Sequence, residues 1–327
     1  MARDAPPNFG AEGTMRKLLV GLVILIALVI GAVWLFSEPD IPRGDLEAKY
    51  AKAPSQFIML PDGARAHVRD QGPKTAPVLV LVHGSNASLF TWVPWVNRLD
   101  KDFRVVTLDM PGHGLTGAVP NGDYSQEGMV KFTLEVADKL HLAKFAIGGN
   151  SMGGGVAARF AEEHADRLTH LILVDAGGMQ TAFGDKVPLA FRIARMPVIN
   201  RMMLYVTPRS IVTEGLNDAI VHKEIINDRM IDLYWDFARM EGTRAATLKR
   251  FSLPWTNDVE NDIGKIKTPT LILWGEEDHL IPVEAAHKFN SAIAGSKLIV
   301  YPATGHIPME EVPDESANAV RAFLNGT

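Results

Sequence analysis

The chain contains no cysteine. Disulfides, a thiolate nucleophile and thiolate-bound metal are excluded together, and a chain without thiols tolerates either redox compartment. A basic surplus is also missing: 33 Lys and Arg stand against 38 Asp and Glu, a formal charge of −5. No nucleic-acid partner is expected from that balance. No internal repeat and no low-complexity tract interrupts the 327 residues. Hydrophobic residues make up 47% of them, enough for one large α/β domain with an insertion.

Charge is absent from one long run, Leu18 to Phe36. As a helix it would be about 28 Å long at roughly 1.5 Å per residue, sufficient to cross a bilayer. A cleaved signal peptide has an apolar stretch of only about 7–15 residues before small residues at the cleavage site. Here Trp34, Leu35 and Phe36 close the run and Ser-Glu-Pro-Asp follows, so a retained anchor over 18–36 is expected. Arg16 and Lys17 precede it, while Glu38 and Asp40 follow. The positive-inside rule then places the tail, 1–17, in the cytoplasm and the rest outside, although Arg43, Lys49 and Lys52 dilute the asymmetry. Gly21 and Gly31 are too far apart to form a GxxxG helix-pairing face.

Residues 37–54 are charged and proline-bearing and read as a linker. Next come FIML (57–60) and ARAHVRD (64–70) around Pro61-Asp62-Gly63, a hairpin signal. Apolar strand patterns follow at 78–84, 103–109, 145–149, 170–176, 270–275 and 297–303. Helical patterns over 125–140, 152–164, 284–293 and 315–324 fall between them. Such alternation predicts an α/β fold: a mostly parallel eight-stranded sheet with helices on both faces. The interval 177–268 is too long for one crossover helix and reads as an inserted helical cap. The core would then comprise 55–176 and 269–327.

Gly148 to Gly155, GGNSMGGG, lies between a strand and a helical pattern. It holds neither the glycine spacing of a dinucleotide fingerprint nor the Gly-Lys-Ser/Thr of a Walker motif. It does hold G-x-S-x-G, Gly149 to Gly153, whose strand–turn–helix setting lifts a serine above the sheet. Ser151 is the candidate nucleophile, and the helix behind it favours developing negative charge.

A serine hydroxyl needs a base. Of ten histidines, His83 and His113 sit beside glycines in loops and read as loop supports, and His164 and His170 read as structural. His306 follows the last apolar strand, where a sheet of this kind places its site, and is the candidate base. The base needs a carboxylate to hold its tautomer. Asp278, in WGEEDHLIP, is the candidate, with Asp175 at the end of an earlier strand as competitor. Oxyanion donors would be the backbone N–H groups of Met152 and Ser85. No cofactor and no metal is implied.

The motifs LVHGSNAS (81–88), LDMPGHGLT (108–116), GNSMGG (149–154), WGEEDHLIP (274–282) and GHIPMEE (305–311) together resemble an α/β-hydrolase fold enzyme with a helical cap after the sixth strand. The resemblance spans about residues 55–325 and implies Ser…Asp…His triad chemistry; an aspartate in place of Ser151 would imply a dehalogenase or epoxide hydrolase. GNSMGG is similar to the elbow of meta-cleavage-product hydrolases, which split carbon–carbon bonds, whereas the loop HGSNAS looks more like that of esterases and lipases. Arg192, Arg195, Arg201 and Arg209, interleaved with apolar residues between Val187 and Thr213, form a stretch that could lie on anionic lipid. The expectation is a serine hydrolase of hydrophobic carboxylic esters, glycerolipids and phospholipids among the candidates, anchored by one pass in a bacterial inner membrane with its catalytic domain on the extracytoplasmic side. The alternatives are carbon–carbon hydrolysis and a non-catalytic binding protein.

Overall fold

The computed structural model describes residues 9–180, 196, 199–253 and 262–326. The chain opens with helix α1, Phe9–Phe36. Within it Thr14–Phe36 has a mean hydropathy of 3.1 and is long and apolar enough to cross a membrane.

The hairpin follows as β1, Ser55–Met59, and β2, Arg65–Gln71, paired antiparallel with Met59 opposite Arg65. Its turn uses the expected residues: Asp62 accepts a hydrogen bond from the Ala64 N–H, and Gly63 takes a φ of 83°. The remaining strands are β3, Val78–Val82; β4, Arg104–Leu108; β5, Phe145–Asn150; β6, Leu168–Val174; β7, Thr270–Gly275; and β8, Lys297–Tyr301. One eight-stranded sheet results, in the order β1-β2-β4-β3-β5-β6-β7-β8. It is mixed: β2 runs antiparallel to both β1 and β4, and every other neighbour pair is parallel.

Strand β3 shows why both faces are covered. Val80 and Val82 enter one apolar core with helices α4, Gln126–Lys139, α5, Met152–Glu163, and α9, Glu284–Ala292. Leu79 and Leu81 enter a second core on the opposite face, with α3, Val93–Leu99, and α10, Pro313–Leu324. Side chains alternate across a strand, so a continuous apolar run is stable only with helices on both sides. His83 and Gly84, expected inside a strand, lie beyond the end of β3 and open the loop to residue 88.

The interval 177–268 contributes α6, Arg209–Ala219, α7, Asp228–Ala238, and α8, Thr243–Ser252. Residues 181–195, 197–198 and 254–261 lie outside the described residues, and Arg192 and Arg195 of the basic stretch with them. Of its other arginines, Arg201 is exposed, whereas Arg209 pairs with Asp228 and Asp232. That pairing leaves Arg209 little charge to offer a lipid surface.

Residues 37–54, expected as a linker, are built into the fold. Arg43–Tyr50 form α2, and Leu46 packs among Leu115, Phe237 and Met240. Arg43 donates to the carbonyls of Leu115 and Thr116, while Lys49 and Tyr50 both reach Asp236. Arg239 and Arg244 pair with Glu38 and Asp40. Three of the charges that gave the segment a linker composition, Glu38, Asp40 and Lys49, pair with Arg239, Arg244 and Asp236 of the interval 177–268.

Candidate active site

The site forms beyond the C-terminal ends of β3, β5, β6, β7 and β8. Asn86, Ser151, Asp175 and Ala303 all have positive φ, and each lies just past one of these strands. Non-glycine residues hold that conformation only where surrounding structure imposes it. Ser151 sits at φ 54°, ψ −120°, between β5 and the first turn of α5. The turn is possible because both flanking glycines lack a side chain: a Cβ on Gly149 would lie 2.0 Å from the Gly153 carbonyl oxygen, and one on Gly153 would lie 2.2 Å from the Val82 oxygen. Met152 opens α5, so its N–H is among the first of the helix, which have no acceptor within it.

His306 and Asp278 meet directly. His306 Nδ1 donates to Asp278 Oδ2 at 2.7 Å, and both residues are buried. Asp278 Oδ1 accepts the backbone N–H groups of Leu280 and Ile281 at 2.7 and 3.0 Å, which fixes the carboxylate. The elbow is tied to the histidine loop from the residue before Ser151: the Asn150 amide donates to the His306 carbonyl at 2.9 Å and to that of Val174 at 3.2 Å. The His306 N–H in turn donates to Ala219 at the end of α6.

Asp175 joins the cluster differently. It is fully buried, and its Oδ1 accepts the Gly275 N–H at 2.9 Å. Burial, reinforced by the neighbouring Asp278 charge, holds its carboxyl well above the usual carboxylate range. Ligating atoms of Asp175, Asp278 and His306 lie within 4.8 Å of one another. A cation there would have to displace the His306–Asp278 hydrogen bond.

The loop after β3 completes the site. A Cβ on Gly84 would lie 3.1 Å from the Ser151 Cβ, so this loop passes against the elbow, with Ser85 next in line. The bland histidines behave as read. Burial pushes His83 down; its Nε2 accepts the Met110 N–H and its Nδ1 faces the Gly84 carbonyl, which holds the loop. His113 is pushed further down by burial, and His164 and His170 pack on Phe160 and Phe323.

The sequence profile of the α/β-hydrolase fold matches residues 77–313. The chain belongs to the α/β-hydrolase fold family. This α/β hydrolase is 28% identical over 288 residues to a 2-hydroxy-6-oxononadienedioate/2-hydroxy-6-oxononatrienedioate hydrolase of Klebsiella pneumoniae, covering 83% of this chain and 96% of that protein. Among solved structures it is similar to a membrane phospholipase A described as a bacterial virulence factor (TM-score 0.73, 23% identity, 95% of this chain and 98% of the other). It also resembles an esterase of Thermogutta terrifontis (TM-score 0.69, 28% identity, 84% and 99%).

Two groups escaped the reading from sequence. Asn150 is the variable position of G-x-S-x-G, and nothing local marks its amide as a tie to His306. Arg250, in α8, places Nη1 2.7 Å from the Ser85 hydroxyl and Nη2 3.0 Å from the Asn86 side-chain oxygen. In sequence it is one basic helix residue beside another, Lys249.

Proposed function

We propose that this α/β hydrolase is a membrane-anchored serine hydrolase of hydrophobic carboxylic esters. The observation that carries the reading is the buried His306–Asp278 hydrogen bond, tied through Asn150 to the strained Ser151 turn. Ser151 Oγ attacks the ester carbonyl while His306 Nε2 takes its proton. Asp278 holds Nδ1 protonated and stabilises the imidazolium. The oxyanion is received by the N–H groups of Met152 and Ser85. Collapse expels the alcohol, protonated by His306, and leaves an acyl-enzyme. Water, deprotonated by His306, then releases the acid.

In this reading 55–176 and 269–327 form the catalytic core and 177–268 the cap. Helix α1 anchors the chain in a bacterial inner membrane with the core outside the cytoplasm. Its end lies close to the interval 177–268: the Glu38 N–H donates to the Tyr205 carbonyl at 2.9 Å, and Met202 and Tyr205 are exposed beside it. Apolar side chains next to a membrane helix suit contact with the lipid surface.

The similarity to a dienedioate hydrolase supports a second reading, carbon–carbon cleavage with the same triad. A substrate panel on detergent-solubilised protein separates the two: short and long p-nitrophenyl esters, a phospholipid and a ring-fission dienoate, each with wild type and Ser151→Ala. Ester turnover lost in Ser151→Ala supports the ester reading. Dienoate turnover well above every ester moves the assignment to carbon–carbon cleavage, and full activity of Ser151→Ala removes both.

A further inference from the structure

Arg250 holds a full charge in an unusual setting. It stands on the last turn of α8 and reaches across to the loop after β3, where Nη1 meets the Ser85 hydroxyl and, at 3.8 Å, the Met152 sulfur, and Nη2 meets Asn86. Ser85 and Met152 are the two residues whose backbone N–H groups would receive the oxyanion. All three contacts are to neutral acceptors. Among the described residues no carboxylate pairs with it. Burial lowers its pKa to about 10, and its charge is felt as far as His83 and His113.

A guanidinium carries five N–H donors in a planar fork that suits phosphate and carboxylate oxygens. The three contacts leave Nε–H and one Nη2–H without an acceptor among the described residues. A charge taken partly out of water, with no counter-ion among the described residues, is costly. The arrangement fits a charge whose partner arrives with the substrate. Arg250 is also partly exposed, as a group meeting an incoming ligand must be.

We infer that Arg250 is an anion subsite beside the oxyanion hole, and that it selects esters carrying a phosphate close to the scissile carbonyl, the glycerophospholipid being the class that fits. In a glycerophospholipid the phosphate and the acyl esters share one three-carbon glycerol, so both fall within reach of one elbow. The anchor supplies the context, because phospholipid is the ester present at the bilayer. This inference rests on the ester reading above and names the substrate class for that same site.

The first test is a ratio of kcat/KM values: dioctanoyl phosphatidylglycerol over dioctanoylglycerol, with acyl chains matched. Wild type should favour the phospholipid by about tenfold or more, the scale of one hydrogen bond to a charged group. Arg250→Gln should bring the ratio close to one, and Arg250→Lys should restore part of it. An unchanged ratio in Arg250→Gln overturns the inference. So does an equal loss on both substrates, which means that Arg250 only braces the loop at Ser85. A second pair, p-nitrophenyl hydrogen glutarate over p-nitrophenyl pentanoate, separates carboxylate from phosphate; an Arg250-dependent preference there and none for the phospholipid overturns the phosphate assignment.

Binding is read apart from catalysis. Ser151→Ala with Arg250 intact should bind dioctanoyl phosphatidylglycerol in detergent about tenfold more tightly than Ser151→Ala with Arg250→Gln. Equal binding overturns the subsite whatever the turnover shows. Failure of the ester reading is recognised separately, by ester turnover that persists in Ser151→Ala.

Discussion

His306 donates its Nδ1–H to Asp278 and not to Asp175, although all three side chains share one buried cluster. Asp278 has two backbone N–H donors on its other oxygen, which fix its orientation toward His306. Asp175 accepts the Gly275 N–H, and burial beside the Asp278 charge holds its carboxyl well above the usual carboxylate range. Two carboxyl groups of identical chemistry are thus divided by environment. Asp278→Asn should lower kcat on a p-nitrophenyl ester by about 10⁴, the cost of a histidine in the wrong tautomer. Asp175→Asn, which keeps the shape of a side chain that makes no hydrogen bond to His306, should stay within about tenfold. A larger effect at Asp175 would make it the triad acid.

Glu310 titrates where the fold can feel it. Burial lifts its carboxyl to about 7, with Thr91 and Tyr234 as hydrogen-bond partners. A carboxyl whose folded pKa is raised stabilises the fold fully below its unfolded pKa, near 4.5. That contribution is lost as pH rises through about 7. Glu310→Gln removes the titration, so its Tm relative to wild type should be higher at about pH 8 than at about pH 5. A pH-independent difference would mean that Glu310 is already ionised in the fold.

Gly153→Ala should disrupt the elbow. The new Cβ would lie 2.2 Å from the Val82 carbonyl oxygen, which is backbone and cannot rotate away. We expect a loss of about 1–3 kcal/mol, as for overpacking in a tight core. Reaction with a fluorophosphonate should fall by more than that loss explains, because the turn that presents Ser151 no longer closes. Wild-type labelling with lowered stability would show that the turn relaxes around the methyl.

Helix α2 should matter for stability. Leu46 is 2% exposed against Leu115, Phe237 and Met240, and Leu46→Ala should cost about 2–5 kcal/mol. A chain truncated to begin at Ser37 should unfold near the wild-type midpoint in denaturant. One beginning at Ser55 should unfold earlier, since it lacks Arg43, Leu46 and Lys49. Equal midpoints for the two would show that 37–54 is the linker its composition suggests.

What was legible in the amino-acid order is what short-range physics controls. The apolar run 18–36, the strands with helices between them and the Pro61–Gly63 turn are properties of neighbours in the chain. So is the elbow: Gly149 and Gly153 are where the turn leaves no room for a Cβ, and that need is readable within five residues. The tertiary structure decided what meets across distance. Residues 43–50 form too short and polar a helix to be predicted alone, and exist as one because Leu46 packs on Leu115 and Arg43 donates to the Leu115 carbonyl. The choice of Asp278 over Asp175 depends on which carboxylate the fold brings to His306 Nδ1. Arg250 reaches Ser85 across 165 positions. A side chain's charge is written in the sequence, but its partner, its desolvation and therefore its role are set only when the fold brings distant segments together.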